Sequence, residues 1–189
     1  MKIRTALAVA VLCATTATTA CRTPTSGAPA GGVPAGGTQT SVAGPGTCHM
    51  RTEGGQPLPD PACTPGATNP QVTQATLKQT ACQSGWTKTV RPPTSYTDKL
   101  KREQISAYGY GDTKAGDYEE DHLVSLELGG SPDDPRNLWP EPGTSPNAKD
   151  KVENDLHAAV CSGRVTLAAA QQAIASDWTT AEQRLGIGS

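Results

Sequence analysis

The sequence predicts an α+β fold in one small domain stapled by disulfides. Three observations carry this. Two short apolar runs, residues 118–128 and 137–139, are punctuated by Gly129-Gly130 and Pro140, as extended segments are. Apolar residues recur at helical spacing on both sides of those runs. Four cysteines remain for bridging once those near the N-terminus are set aside.

Taken in order, residues 1–20 read as an export signal. Lys2 and Arg4 form a charged start, and Ala6 to Ala14 are almost wholly apolar, a run too short to span a bilayer. Small residues from Thr15 to Ala20 lead into Cys21. Ala20-Cys21 resembles the lipobox of bacterial lipoproteins, with Thr18 where a leucine is usual. That resemblance implies lipidation of Cys21 and a membrane anchor on the outer face, with plain secretion as the alternative. Residues 21–46 are Thr, Pro, Gly, Ala and Ser with hardly a charge, which gives a flexible tether that cannot bury enough surface to offset its ordering entropy. Residues 47–79 are expected to be irregular and held by a disulfide, and residues 80–189 to form the domain, as a monomer.

Of six cysteines, Cys13 falls in the signal and Cys21 at the lipidation site, leaving Cys48, Cys63, Cys82 and Cys161. An even number in an exported chain implies two bridges with three possible pairings, of which Cys48–Cys63 and Cys82–Cys161 are favoured. No CxxC pair is present to support a zinc-cysteine site.

Within residues 80–189 there are 11 Lys and Arg against 16 Asp and Glu, a formal −5. That excludes a protein that coats DNA by bulk electrostatics. A local basic group, Lys88, Arg91, Lys99, Lys101 and Arg102, is either a solvated face or an edge that meets phosphate.

Thr80 to Val90 is expected to be extended, with Trp86 in the core, until Arg91-Pro92-Pro93 stops it. Ser95, with Asp98 three residues on, opens a helix in the manner of a capping box, and Tyr108-Gly109-Tyr110-Gly111 ends it. Tyr118 to Leu128 is a first strand, Ser131 to Arg136 a loop, and Asn137 to Trp139 a second strand. A helix starts near Ser145-Pro146, with Val152, Leu156, Ala159 and Val160 as its buried stripe and Asn147, Lys151 and Asn154 opposite. Gly163 ends it. Thr166 caps a last helix, Leu167 to about Leu185, with Trp178 on its core face. Glu119, Glu120 and His49 are expected in solvent, with Glu120 within reach of a metal, and His157 at the surface or core edge.

The chemistry-bearing residues lie along the order strand, loop, strand, loop, helix: Asp121-His122, then Asn137, then Asn147 at the helix start. This arrangement resembles the HNH, or ββα-metal, nuclease superfamily. More narrowly, it resembles exported bacterial proteins whose signature appears here as Asp121-His122-Leu123, Leu126, Leu128-Gly129-Gly130 and Asn137-Leu138-Trp139-Pro140. The signature continues through Lys149-Asp150, Glu153, Leu156-His157 and Val160-Cys161. The resemblance covers about residues 80–180. It departs from the pattern at Ser125, where Pro is frequent, and by ten residues between Asn137 and Asn147 where nine are common.

The resemblance implies a ββα-metal core flanked by helices and hydrolysis of phosphodiester bonds, in DNA, leaving a 5′-phosphate. It implies His122 as general base, Asn137 as the residue that holds the loop and the base, and Asp121 and Asn147 as ligands of one divalent cation. An Asn rather than a His at the third position favours Mg²⁺ or Mn²⁺ over zinc. Asn147 has a second reading, as a helix cap. Lys151, Arg91 and Lys101 are weaker candidates for phosphate contact. Two rivals stand beside the nuclease: a non-catalytic surface lipoprotein that uses the scaffold for binding or structure, and a hydrolase of another phosphoester. One geometric tension remains, because adjacent strand residues such as Asp121 and His122 point to opposite faces.

Overall fold

The computed structural model describes residues 41–187, which lie within one compact unit, Thr38–Ser189. The architecture is mixed α+β. Two separate two-stranded antiparallel sheets, five α-helices and two disulfides are found among the described residues. The export signal expected over residues 1–20, the expected lipidation site Cys21 and most of the expected tether lie outside the described residues. Among those described, no helix is long and apolar enough to cross a membrane.

The segment before residue 80 has more structure than its composition suggests. Strands β1 (Arg51–Glu53) and β2 (Gln56–Leu58) form a hairpin across Gly54-Gly55, which take φ of 56° and 80°. Two successive positive φ values are what a tight hairpin turn requires and what glycine supplies without strain. Leu58, Val72 and Leu77 from this segment are buried in the main core. The Cys48–Cys63 bridge closes its loop.

Thr80 to Val90 is not extended. Turns lead to Gly85, and helix α1 (Trp86–Val90) follows. Among the described residues no strand lies alongside to take up its main-chain groups, and local bonds such as Arg91 N–H to Thr87 O (3.1 Å) satisfy them. Helix α2 (Thr94–Ala107) starts one residue ahead of Ser95 and has no side-chain cap. Pro93, at φ −60° and ψ 142°, turns the chain into the helix, so Ser95 falls inside the first turn. Buried Gln104 on α2 donates from Nε2 to Leu138 O (2.6 Å) and Pro135 O (3.1 Å), which ties α2 to the second sheet.

That second sheet pairs β3 (Tyr118–His122) with β4 (Leu138–Pro142) in the register Glu120↔Pro140, Asp121↔Trp139 and His122↔Leu138. Helix α3 (Ala148–Cys161) follows, capped by Asn147. Its buried Val152, Leu156 and Val160 meet Leu167, Ala170 and Ile174 of α4 (Leu167–Ser176) and Trp178 in the main core. The last helix is interrupted. Asp177, at φ −166°, accepts from Thr179 N–H (2.9 Å) and from the hydroxyls of Thr179 and Thr180, and so opens a 3-10 turn that leads to α5 (Ala181–Arg184). Side-chain bonds of this kind compete with helix continuation. A second cluster, Cys48, Ala107, Tyr108, Leu123 and Trp139, joins α2 to the β3–β4 hairpin. Cys82–Cys161 fixes the start of the domain to the end of α3 across 79 residues.

Candidate functional site

The site grows from the place where β3 ends. Strand geometry stops at His122, and Leu126–Leu128 form a 3-10 turn instead of continuing the strand to residue 128. The cause is Asn137, which is 0% exposed. Its Oδ1 accepts Val124 N–H (2.9 Å), and its Nδ2 donates to Val124 O (2.9 Å) and Ser131 O (2.9 Å). One amide therefore satisfies a main chain that has left the sheet. Gly130 makes room for it, since a Cβ there would stand 1.7 Å from Val124 O and 2.6 Å from Asn137 Nδ2. Asn137 acts as a clamp beneath the site and does not line the cleft above it.

His122, 8% exposed, is held by this clamp at the strand end. Its Nε2 lies 2.9 Å from Pro132 O. A carbonyl can only accept, so Nε2 carries the proton and Nδ1 is the basic nitrogen. Among the described residues no protein group hydrogen-bonds Nδ1. Burial lowers the imidazole pKa below its ordinary value, and it does so against the opposing influence of the Pro132 carbonyl and the Asp121 charge. The ring is therefore neutral near pH 7.

Asp121 and His122 do project differently, as strand alternation demands. Asp121 turns to its cross-strand partner Trp139, whose Nε1–H donates to Oδ2 (3.0 Å), and to Lys149 on the first turn of α3. The Lys149 side chain is 1% exposed. Its Nζ lies 3.0 Å from Asp121 Oδ1 and 2.9 Å from Oδ2, donates to His122 O (3.0 Å), and makes a short contact with Glu153. Burial alone would depress this amine, but Asp121 and Glu153 outweigh it and hold the ammonium above the ordinary lysine range.

Glu120, on the same strand face as His122, is not in solvent. Both carboxylate oxygens are buried without a hydrogen-bond partner, and burial pushes the group up to about 9. Glu119 is half-buried and accepts from Asn147 Nδ2 (3.3 Å).

Asn147 is the cap of α3. Its Oδ1 accepts Lys149 N–H (2.8 Å) and Asp150 N–H (3.3 Å), while Asp150 returns a bond to Asn147 N–H (2.8 Å). A cleft of about 240 Å³ lies over these elements. Arg91, Glu119, Glu120, Asp121, His122, Ser125 and Glu153 are among the residues that line it. Arg91 is its basic residue and is exposed. Lys101 is tied to Ala115 O (3.2 Å) and Tyr118 O (3.0 Å), and Lys151 is in solvent and paired with Asp155 and Glu182. Neither lines the cleft. A larger cleft of about 710 Å³ beside α2 contains no imidazole or thiol.

The residues expected to hold a divalent cation do not fit one in this arrangement. Both Asp121 oxygens are engaged by Lys149 and Trp139, and the Asn147 carbonyl oxygen by two backbone N–H groups. Among the described residues, ligand atoms at metal-binding separation occur at Cys82, His157 and Cys161, all within 4.8 Å of one another. Those two sulfurs form a disulfide, and His157 Nε2 donates to Ala81 O (3.0 Å). Such a group does not suit Mg²⁺ or Mn²⁺, which take oxygen. Sequence reasoning missed Lys149 as a member of the site. A signal existed, because at 100° per residue it falls about 200° from Asn147, inside the stripe read as buried. Compared with protein-family models, curated proteins and solved structures, the chain matches none of them.

Proposed function

We propose that this protein is an HNH-like phosphodiester hydrolase that acts on DNA, with His122 as general base. The observation that carries the proposal is the His122 imidazole: neutral, fixed in tautomer by Pro132 O, with Nδ1 free of any hydrogen bond among the described residues, on a residue that lines a cleft. The chain order β3, β4, α3 with Asp121-His122 at the end of the first strand supports the same reading.

In this mechanism Nδ1 takes a proton from water, and the resulting hydroxide attacks phosphorus. The P–O bond to the leaving oxygen breaks as the new bond forms. Arg91 meets the phosphate charge at the cleft mouth. The leaving oxygen takes up a proton from solvent, and the imidazolium gives its own proton back to solvent, which returns the ring to its neutral form. Asn137 and Lys149 touch no substrate. They hold the turn after His122 and the His122 carbonyl in place.

The test is incubation of the oxidised protein with supercoiled plasmid, with added Mg²⁺ or Mn²⁺ and with chelator, beside single-stranded DNA and RNA. Nicking of plasmid is expected. Cleavage of RNA alone would move the activity to another phosphoester. A second reading, a non-catalytic binding or structural module, is favoured by the five carboxylates that line the cleft against one arginine, and absence of cleavage under every condition would select it.

A further inference from the structure

The cation at the centre of this site is covalent. Lys149 extends from the first turn of α3 to the end of β3, and its three N–H donors find three acceptors: Asp121, Glu153 and the main-chain oxygen of His122. Glu141 on β4 is 3% exposed, with Oε2 buried and unpartnered. Burial first, and then the charge of Asp121, raise its carboxyl against the pull of Lys149. The Trp139 indole fixes the Asp121 carboxylate from the other side.

We infer that Lys149 is a resident cation: its ammonium holds the place between the strand end and the helix start, and the protein takes up no divalent ion there. The geometry supports exclusion as well as occupancy. Asp121 oxygens and His122 O stand 2.9 to 3.0 Å from Nζ, whereas Mg²⁺ needs oxygens at about 2.0–2.1 Å. The cage is set to ammonium size, and the tethered cation is not lost to chelators. Removing the ammonium leaves the oxygens of Asp121 and Glu153 and the main-chain oxygen of His122 around the space that Nζ filled. That is an all-oxygen donor set for a hard divalent ion. The inference stands on this geometry and does not require that the protein cleave DNA.

The experiment is Mn²⁺ titration followed by electron paramagnetic resonance, with thermal melts in Mn²⁺ and in chelator, on the full chain with disulfides intact. Wild type is expected to hold no Mn²⁺ that Asp121→Asn removes, and its melting temperature is expected to be the same in both media. Lys149→Ala is expected to gain one saturable Mn²⁺ and a melting temperature that rises with the ion. Lys149→Asn serves as a second variant with an oxygen at that position. If neither folds, the comparison of wild type with Asp121→Asn decides alone. A wild-type site that binds one Mn²⁺ and loses it in Asp121→Asn would overturn the inference, as would a folded Lys149→Ala that takes up none. Neither readout depends on nicking, so failure of the hydrolase proposal leaves this test intact.

Discussion

Replacing Asn137 by alanine isolates the element that ends β3 and sets His122. The substitution removes three hydrogen bonds in a place with no solvent access: those to Val124 N–H, Val124 O and Ser131 O. At about 1 kcal/mol net for each bond the loss is about 3 kcal/mol, rising toward about 5 kcal/mol if no water reaches the main-chain groups left behind. For a domain of this size that lowers the thermal midpoint by about 6–12 °C. The assay is urea and thermal unfolding of the oxidised protein, with wild type and Asn137→Ala side by side. Asn137→Asp is the sharper variant, since it keeps the shape but turns the two donated bonds into oxygen–oxygen contacts, and it should be at least as destabilising. A loss below about 1 kcal/mol in Asn137→Ala would refute the clamp. It would mean that Val124 and Ser131 are satisfied in another way and that the end of β3 is set elsewhere.

Three further outcomes follow from the same structure. Opening Cys82–Cys161 with a double serine substitution should cost about 4.5 kcal/mol by loop entropy for its 79-residue separation, against about 3 kcal/mol for the 15-residue Cys48–Cys63 loop, read as denaturant midpoints. Glu141, raised by burial to about 9, favours the folded state fully below the unfolded carboxyl value and loses that contribution as pH rises toward 9. Glu141→Gln should therefore flatten the fall in stability between about pH 5 and 8.5, and an unchanged slope would contradict the assignment. For His122, lowered by burial, protonation favours the unfolded chain as pH falls below the ordinary histidine value. The acid limb of any kcat/KM profile should accordingly lie below pH 6.5, and a limb at or above pH 7 would count against His122 as the base.

How much of this was legible in the sequence depended on how local each cause is. Asn147 with Pro146 before it announced the start of α3, and Gly163 its end, because caps and stops act within a turn. The β1–β2 hairpin was equally local. Gly54-Gly55 between Arg51–Glu53 and Gln56–Leu58 signals it, but the surrounding Pro and Gly content masked it. Counting the cysteines left three pairings open, and the favoured one is the one present. The other errors have tertiary causes. Thr80 to Val90 holds four β-branched residues, but with no strand beside it among the described residues turns and the helix Trp86–Val90 satisfy its backbone. The strand expected through Leu128 stops at His122 because a side chain fifteen positions on clamps Val124. The helix expected through Leu185 breaks at Asp177, where a second cap competes with it. Within the candidate site, the motif pointed to Asp121, His122 and Asn137, but the partners of Asp121 were not visible. Lys149 falls in the apolar stripe of α3 by its position on the helix, and the carboxylate oxygens of Glu120, expected in solvent, are buried. Burial of a charge is decided by what packs over it, here α2, β4 and α3 together.

The most direct test of the account is the comparison of wild type with His122→Ala on supercoiled plasmid, both proteins folded and oxidised. Wild type is expected to convert supercoiled to open-circular DNA, and His122→Ala to be slower by about 10²–10⁴-fold, the usual contribution of a general base. Absence of nicking by wild type, or nicking that survives in His122→Ala at the wild-type rate, would contradict it.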